Sequence, residues 1–215
     1  MDDNTAILEQ LYSAVVADAL DSMGLRHQIL SADIRALTPT RKVCGRVFTA
    51  KAVAVNEMPA EPYKLEMQAI DTMQAGDVLV VDAEHEKQSA FWGELLSTAC
   101  LAKGVRGIVM SACSRDMRAL HQMGFPVFGI GCTPADSAGR LDVVSIGEPI
   151  QIDGVAAKHG DTILGDRDGV VIVPQESADE ALRRATEKVS AENTVREELR
   201  AGVPVAEVFR KHGIL

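Results

Sequence analysis

The side chains best suited to chemistry in this sequence are the adjacent pair Arg115 and Asp116. A guanidinium presents a planar fork of N–H donors that matches a carboxylate. An aspartate supplies hard oxygen ligands of the kind that Mg²⁺ and Mn²⁺ prefer in proteins. Together the two side chains could hold a small oxo-acid against a divalent cation.

A second candidate group precedes the pair. Gly93, Glu94, Leu95 and Leu96 lead into an apolar stretch that predicts a helix over residues 95–103, with Leu95, Leu96, Ala99 and Cys100 on one face. A helix N-terminus carries unpaired amide groups and the positive end of the helix dipole, so it favours anions. The start of this helix is therefore a candidate carboxylate-binding site.

Each of these residues also has a purely structural interpretation. Asp116 could be an N-cap or first-turn carboxylate of a following helix, with Arg115 a solvated loop charge. Helix capping would explain Glu94 equally well, although its carboxylate could also position a water molecule. Local sequence leaves both interpretations open.

The elements that must position these residues alternate in type. A strand, a helix and a further strand repeat through the middle of the chain, which favours a partly parallel sheet covered by helices. The predicted elements are a helix over 5–23, a strand over 45–56, a helix over 62–73, a strand over 78–81, the helix over 95–103, a strand over 107–110, a helix over 116–123 and a strand over 127–129.

The last third of the sequence has a different pattern. Short strands are predicted over 142–174, and Asp166 and Asp168 are interpreted as turn residues between two of them. A charged amphipathic helix over 178–200 has too little apolar surface for the core. We expect it to pack on a neighbour, within the chain or across a subunit interface.

Composition limits the functional class. The 215 residues suffice for one domain, 1–215, and carry a net charge of −9, which argues against a nucleic-acid-binding surface. The four cysteines lack the spacing of a zinc site. The sequence shows neither a leader peptide nor an apolar run long enough to span a membrane, so we expect a soluble, cytoplasmic protein.

Nearly the whole chain resembles one family, that of the class II 4-hydroxy-4-methyl-2-oxoglutarate aldolases and the related regulator of ribonuclease activity A. The most specific part is Gly-Glu-Leu-Leu at 93–96 with Arg115 and Asp116. The other matching segments are 13–21, 76–82, 91–99, 103–107, 124–128 and 165–174. The resemblance implies a layered α/β/β/α swivelling-type domain with a C-terminal helical extension over 178–215, assembled as a homotrimer or homohexamer.

The resemblance also implies a mechanism. Asp116 would anchor Mg²⁺ or Mn²⁺, Arg115 would bind the α-keto acid and stabilise enolate charge, and the amides at Gly93, Glu94, Leu95 and Leu96 would bind its carboxylate. Retro-aldol cleavage of a 4-hydroxy-2-oxo acid would release pyruvate. Oxaloacetate decarboxylation passes through the same enolate. A lysine Schiff base is the other route to such chemistry, and only Lys51 lies in an apolar strand, where we expect it to point outward.

The sequence departs from the family pattern near the site. Residues 111–114 replace an expected Asp-Gly or Asn-Gly pair, Ala119 replaces an expected carboxylate, and Arg118 adds positive charge. Among the histidines, His85 is the best acid/base candidate, although a histidine between two glutamates is commonly solvated.

The sequence is compatible with two other functions. One is a non-catalytic regulator that binds a ribonuclease, and the other is a related lyase acting on another oxo-acid or a sugar acid. A quinone methyltransferase is rejected, because the sequence lacks a glycine-rich strand-to-helix turn followed by an acidic ribose-binding residue.

Overall fold

The computed structural model describes residues 3–40 and 42–214. The helices are α1 (Asp3–Gln10), α2 (Ser13–Ser22), α3 (Lys64–Thr72), α4 (Glu94–Ala102), α5 (Met117–Met123), α6 (Ala178–Arg200) and α7 (Val205–His212). The strands are β1 (Arg35–Ala36), β2 (Val43–Ala54), β3 (Asp77–Trp92), β4 (Gly107–Ser114), β5 (Val127–Gly129), β6 (Gly131–Cys132), β7 (Leu141–Ile146), β8 (Ile150–Ile152), β9 (Val155–Ala157), β10 (Thr162–Gly165) and β11 (Val170–Val173).

The sheet is parallel at its centre and antiparallel at its edges. Strands β2, β3, β4 and β5 run parallel in the spatial order β5-β4-β3-β2. Antiparallel strands flank this centre: β1 pairs with β5, while β10 and β7 both pair with β2. The prediction of a partly parallel sheet is confirmed.

Three apolar clusters hold the layers together. Helices α3, α4 and α5 cover one face of the sheet, where Ile70, Cys100 and Leu120 are buried with Trp92. The β8–β9 hairpin packs on other buried sheet residues. The third cluster joins α1, α2 and α6 to β10 and β11. The mixed α/β fold with its C-terminal helices is therefore confirmed.

The single helix predicted over 5–23 is wrong, because the chain breaks between α1 and α2. Lys42 Nζ donates to the carbonyl oxygens of Glu9 and Leu11, at 2.5 and 2.8 Å, where α1 ends. Asp166 accepts hydrogen bonds from both the amide and the hydroxyl of Ser13, at 2.7 and 2.6 Å, where α2 begins. Both partners are remote in sequence, so the local apolar periodicity could not reveal the break.

The C-terminal helix is more deeply packed than its composition suggests. The bounds of α6 match the prediction, but the expectation that it lacks a core face is wrong for its first half. Ala181, Leu182 and Ala185 are fully buried in the cluster with α2. Three small or branched residues at helical spacing suffice for this contact, which lies within the chain.

Within the described residues, no helix is both long enough and apolar enough to cross a membrane.

The predicted turn at Asp166 and Asp168 is present, since the Asp168 amide donates to Asp166 Oδ1 at 3.0 Å. Asp166 thus closes its own turn and holds the first turn of α2 at the same time.

We expect Asp166→Ala to lower the free energy of unfolding by about 1–3 kcal/mol, because it leaves the buried Ser13 without its acceptor. Urea denaturation measures the change. Asp168→Ala removes an exposed carboxylate from the same turn and should change stability by less than about 0.5 kcal/mol. Equal effects of the two substitutions would contradict the capping role of Asp166.

Candidate functional site

The site forms where two parallel strands end side by side. Trp92, the last residue of β3, pairs with Ser114, the last residue of β4. The Arg115 amide donates to the Trp92 carbonyl oxygen at 2.9 Å. Since the carboxyl ends of parallel strands meet at one edge of a sheet, Gly93 and Arg115 emerge as neighbours there, as ligand-binding residues commonly do in α/β folds.

Helix α4 starts directly at this edge. The Trp92 indole donates to Ser97 Oγ at 2.7 Å, which ties the first turn of α4 to the end of β3. The amides of Leu95 and Leu96 belong to this first turn, so no carbonyl of the helix itself can pair with them. The predicted anion-binding helix terminus therefore opens beside Arg115.

The Asp116 side chain caps α4, the preceding helix, and not α5, which directly follows it. It precedes α5 with a left-handed backbone (φ 57°), yet its side chain makes no capping hydrogen bond to α5. Instead, Asp116 Oδ2 accepts a hydrogen bond from the Glu94 amide at 3.1 Å, across the strand ends. The carboxylate is 43% exposed. Oδ1 has no hydrogen-bond partner among the described residues, so one oxygen remains available to a ligand.

Arg115 lies between two carboxylates. Its Nη2 is 3.3 Å from Asp136 Oδ1, and its Nε is 3.8 Å from Asp116 Oδ2. The Tyr63 hydroxyl donates to Asp136 Oδ2 at 3.3 Å. These contacts link four side chains in a row, which runs from Asp116 to Arg115, Asp136 and Tyr63.

A pocket of about 310 Å³ contains all of these groups. It brings together every site residue predicted from the sequence: Gly93, Glu94, Leu95, Leu96, Arg115 and Asp116. Helix α3, the residue directly before it and the segment between β6 and β7 supply the remaining polar side chains: Glu66, Tyr63, Asp136 and Ser137. A volume of this size accommodates a small organic acid.

Glu66 is the most unusual titratable group in the pocket. It lies on α3, its residue is 6% exposed, and it forms no hydrogen bond or ion pair with the residues that the structure describes. Burial raises the pKa of its carboxyl group to about 8, with further contributions from the negative charges of Asp136 and Asp142. At neutral pH this side chain is therefore mainly a neutral acid.

The predicted apolar face of the helix after Gly93 is confirmed only for Leu96 and Cys100, which pack on the core. Leu95 is 82% exposed, and Ala99 is exposed as well, whereas the buried residues of α4 are Ser97 and Cys100. The helix starts at the mouth of the pocket, so its first apolar side chain points away from the core.

Two further candidates lie outside the pocket. His85 Nε2 contacts Asp153 in an irregular part of β3, and the pocket lining does not include it. Lys51 was expected to point outward but is only 25% exposed, with Nζ 2.6 Å from Asp82 and 2.7 Å from Glu84. Although burial opposes its charge, these hydrogen bonds raise the pKa of Lys51, so it remains a cation.

The positions that depart from the family pattern have ordinary neighbours. Ser111 Oγ accepts from the Ala83 amide at 2.8 Å and donates to Asp82 Oδ1 at 3.1 Å, so it fixes β3 where the strand becomes irregular. Ala119 lies in a shallow depression beside Asp116 and Arg118, outside the main pocket.

The side chains of this pocket suit a divalent cation that is coordinated mainly by water and by the bound substrate. The described residues contain no cluster of three or more histidine, cysteine, aspartate or glutamate side chains able to hold a metal ion. Asp116 offers a free carboxylate oxygen beside the helix terminus, and the carboxylate of Glu94, at the first position of α4, lines the same pocket. Magnesium is commonly bound by one or two carboxylates and several waters, so this arrangement is compatible with it.

Comparison with known proteins decides the family. The model of the RraA-like family, described as Aldolase/RraA, matches residues 13–172. The chain belongs to this RraA-like family.

Individual relatives carry different names. A Halalkalibacterium halodurans protein, provisionally named a 4-hydroxy-4-methyl-2-oxoglutarate aldolase, is 30% identical over 182 residues, covering 85% of this chain and 81% of the relative. Protein DlpA of Legionella pneumophila is 27% identical over 83% of this chain, but the match spans only 29% of DlpA.

A solved RraA-like structure agrees in fold. Streptomyces coelicolor RraAS2, described as an unusual member of the RNase ES inhibitor RraA protein family, superposes with a TM-score of 0.80. It is 28% identical, and the match covers 91% of this chain and 96% of that one. The RraA-like family thus includes relatives named as aldolases and relatives named as ribonuclease inhibitors.

Sequence reasoning missed Glu66, Asp136 and Tyr63. A signal existed for Glu66, because it shares the buried face of α3 with Ala69 and Ile70 at helical spacing. An acid at a core position of an amphipathic helix is a candidate functional group. Asp136 and Tyr63 lie in irregular segments, where no local pattern marks them.

We expect Gly93→Ala to disable the site while leaving the protein folded. A Cβ at Gly93 would lie 2.6 Å from Asp116 Oδ2, so the carboxylate must turn away from α4. Binding of pyruvate, measured by isothermal calorimetry, should weaken about tenfold or more.

Gly131→Ala is the matched control, because its Cβ would meet only Cys113 Sγ at an ordinary 3.5 Å. Undiminished pyruvate binding by the Gly93 variant would show that the placement of Asp116 does not matter for the ligand.

Glu66 should make stability depend on pH. Because its folded pKa of about 8 lies above the usual 4.5, the unfolded chain loses this proton first as pH rises. The free energy of unfolding should therefore fall across that interval by roughly 1.4 kcal/mol per pH unit from this group. Glu66→Gln lacks this contribution, so plots of the free energy of unfolding against pH, obtained from urea denaturation, should diverge between the two proteins as pH rises. Parallel curves would contradict a neutral Glu66.

Proposed function

We propose that this protein is a divalent-metal-dependent carbon–carbon lyase. It would cleave a 4-hydroxy-2-oxo acid, of the 4-hydroxy-4-methyl-2-oxoglutarate type, and release pyruvate. The observation that carries the proposal is the meeting of Arg115, Asp116 and the N-terminus of α4 in one pocket of about 310 Å³. A relative provisionally named as such an aldolase supports the same reaction class.

Asp116 is the residue that would hold Mg²⁺ or Mn²⁺, through the oxygen that the Glu94 amide leaves free. When bound, the cation supplies Lewis acidity that stabilises enolate charge. Ala119, where the family pattern has a carboxylate, is not among the residues that line the main pocket.

The protein groups orient the keto-acid end of the substrate. The guanidinium of Arg115 can exchange its contact with Asp136 for the substrate carboxylate, as a planar fork of donors suits that group. The free amides of Leu95 and Leu96 offer further donors, and the helix dipole favours the same negative charge. Glu94, at the first position of α4, could position a water beside the reacting carbons.

Cleavage breaks the bond between C3 and C4 of the acid. The C4 hydroxyl gives up its proton and becomes a carbonyl, while the electron pair of the broken bond forms the pyruvate enolate. Protonation at C3 then yields pyruvate. Arg115 is the one basic side chain that lines the pocket within the described residues, so it is the protein group that can balance the enolate charge.

The lysine route is less compatible with the structure. A Schiff base needs an uncharged amine facing the substrate. Lys51 is held as a cation by two carboxylates and does not line the pocket. Oxaloacetate decarboxylation remains part of the proposal, because loss of its carboxylate generates the same enolate.

Assembly as a homotrimer or homohexamer is likewise proposed from family resemblance, and sedimentation equilibrium measures it. A ribonuclease-binding role, suggested by the name of the RraAS2 family, predicts no metal-dependent turnover. The same assay therefore separates the two functions.

We expect pyruvate release from 4-hydroxy-4-methyl-2-oxoglutarate and from oxaloacetate with Mg²⁺ or Mn²⁺, and none with a chelator. Asp116→Ala and Arg115→Ala should each lower kcat/KM about 100-fold or more, because they remove groups that act on developing charge. A coupled pyruvate assay measures the rates.

Asp33→Ala, which removes an exposed carboxylate that does not line the pocket, should keep kcat/KM within about twofold of the parent. Turnover that survives both chelation and Asp116→Ala would rule out the metal mechanism. A folded protein inactive on both of these acids and on 4,5-dihydroxy-2-oxopentanoate would favour the regulator.

A further inference from the structure

The two ends of the pocket differ in whether a basic side chain is present. At one end Arg115 and the free amides of α4 lie with the carboxylates Glu94 and Asp116. Contacts run from Arg115 to Asp136 and then to Tyr63, which directly precedes α3. This helix forms the other end of the pocket. There the ionisable side chains are Glu66, Asp136 and Tyr63, and the part of the chain that the structure describes adds no lysine, arginine or histidine to this end of the lining.

Glu66 has the features of a ligand-binding group. Burying a carboxyl without a partner is costly, and the fold gains no hydrogen bond from this one within the described residues. Burial and the nearby carboxylates keep it mainly neutral. A neutral carboxyl group donates one hydrogen bond and accepts others, so it matches a hydroxyl group in both directions.

The neighbours of Glu66 have the same character. Asp136 accepts hydrogen bonds, and the Tyr63 oxygen can accept one while its proton is directed at Asp136. Ser137 adds a second hydroxyl to the lining. Such an end can bind neutral groups that both donate and accept.

A carboxylate would be disfavoured at this end. It would lie beside Asp136 with no basic side chain to balance it, and like charges in a partly desolvated site repel. Arg115 cannot serve, because the keto-acid end of the same substrate uses it. The dicarboxylic acids with which the family is associated would therefore place their second carboxylate against negative charge.

We infer that Glu66, Asp136 and Tyr63 select a 4-hydroxy-2-oxo acid whose distal end is an uncharged, hydroxyl-bearing chain, as in a 3-deoxy-2-oxo sugar acid. The inference rests on the proposed function, since it concerns the other half of the same substrate. Cleavage between C3 and C4 then gives pyruvate and a neutral hydroxyaldehyde, with the C4 hydroxyl becoming the aldehyde and its proton leaving to solvent.

The test compares two substrates that differ only at C5. In 4,5-dihydroxy-2-oxopentanoate this carbon carries a hydroxyl, and in 4-hydroxy-2-oxoglutarate it is a carboxylate. We expect kcat/KM for pyruvate release to be about tenfold or more higher for the dihydroxy acid. An equal or higher value for the dicarboxylate would overturn the inference while leaving the lyase proposal intact.

Variants assign the selectivity to residues. Glu66→Gln keeps a neutral donor and acceptor, so the preference should persist within a few fold. Glu66→Leu should lower kcat/KM for the dihydroxy acid about tenfold, mainly through KM, and affect 4-hydroxy-2-oxopentanoate much less, because that acid has no distal hydroxyl. Asp136→Asn should improve the dicarboxylate relative to the dihydroxy acid. Identical changes for all three acids would assign these residues a structural role only.

A binding measurement separates failure of the inference from failure of the lyase proposal. Neither 5-hydroxy-2-oxopentanoate nor 2-oxoglutarate has a 4-hydroxyl, so neither can undergo retro-aldol cleavage. Calorimetry should show tighter binding of the former by about tenfold. If none of the substrates is cleaved but this difference is found, the specificity stands and the lyase proposal fails. If 2-oxoglutarate binds as well or better, the inference fails whatever the turnover.

Discussion

The pairing of Trp92 with Ser114 at the carboxyl ends of β3 and β4 is the constraint on which the site depends. It makes neighbours of two chain segments that are separated by α4, and each segment then supplies half of the polar machinery. The hydrogen bond from the Glu94 amide to Asp116 locks the halves together. Gly93 permits this contact, since any Cβ there would occupy the space of the carboxylate. Geometry at the strand ends therefore fixes both the helix terminus and the charged pair.

Much of this arrangement could be predicted because its signals are local. The alternation of apolar strands and amphipathic helices predicts a parallel sheet centre, and a parallel centre brings strand ends together. The chemistry of Arg115 and Asp116 and the start of α4 needs only the residue types and the order of elements. The bond between Asp116 and α4 was not predictable in the same way. Sequence suggested a cap for the following helix, and only the tertiary pairing shows that it caps the preceding one.

The remaining features depend on contacts between distant parts of the chain. The break between α1 and α2 depends on Lys42 and Asp166, which satisfy the helix ends from other elements. The exposure of Leu95 was not predicted, because burial at the start of α4 is decided by the pocket opening beside it, which periodicity does not report. Glu66 could have been found as an acid on a core face, whereas Asp136 reaches the site from a segment without regular structure.

The pocket is assembled from two sources that are independent in the chain. In the proposed reaction, the ends of strands β3 and β4 would bind the common part of a substrate, while α3 and the segment before β7 would meet the variable part. A substitution on α3 can therefore alter what is recognised without moving Arg115 or Asp116. Such a division allows related proteins to diverge in ligand specificity through changes in one short helix. It offers a physical reason why one scaffold can acquire new ligands during evolution while its central chemistry is inherited unchanged.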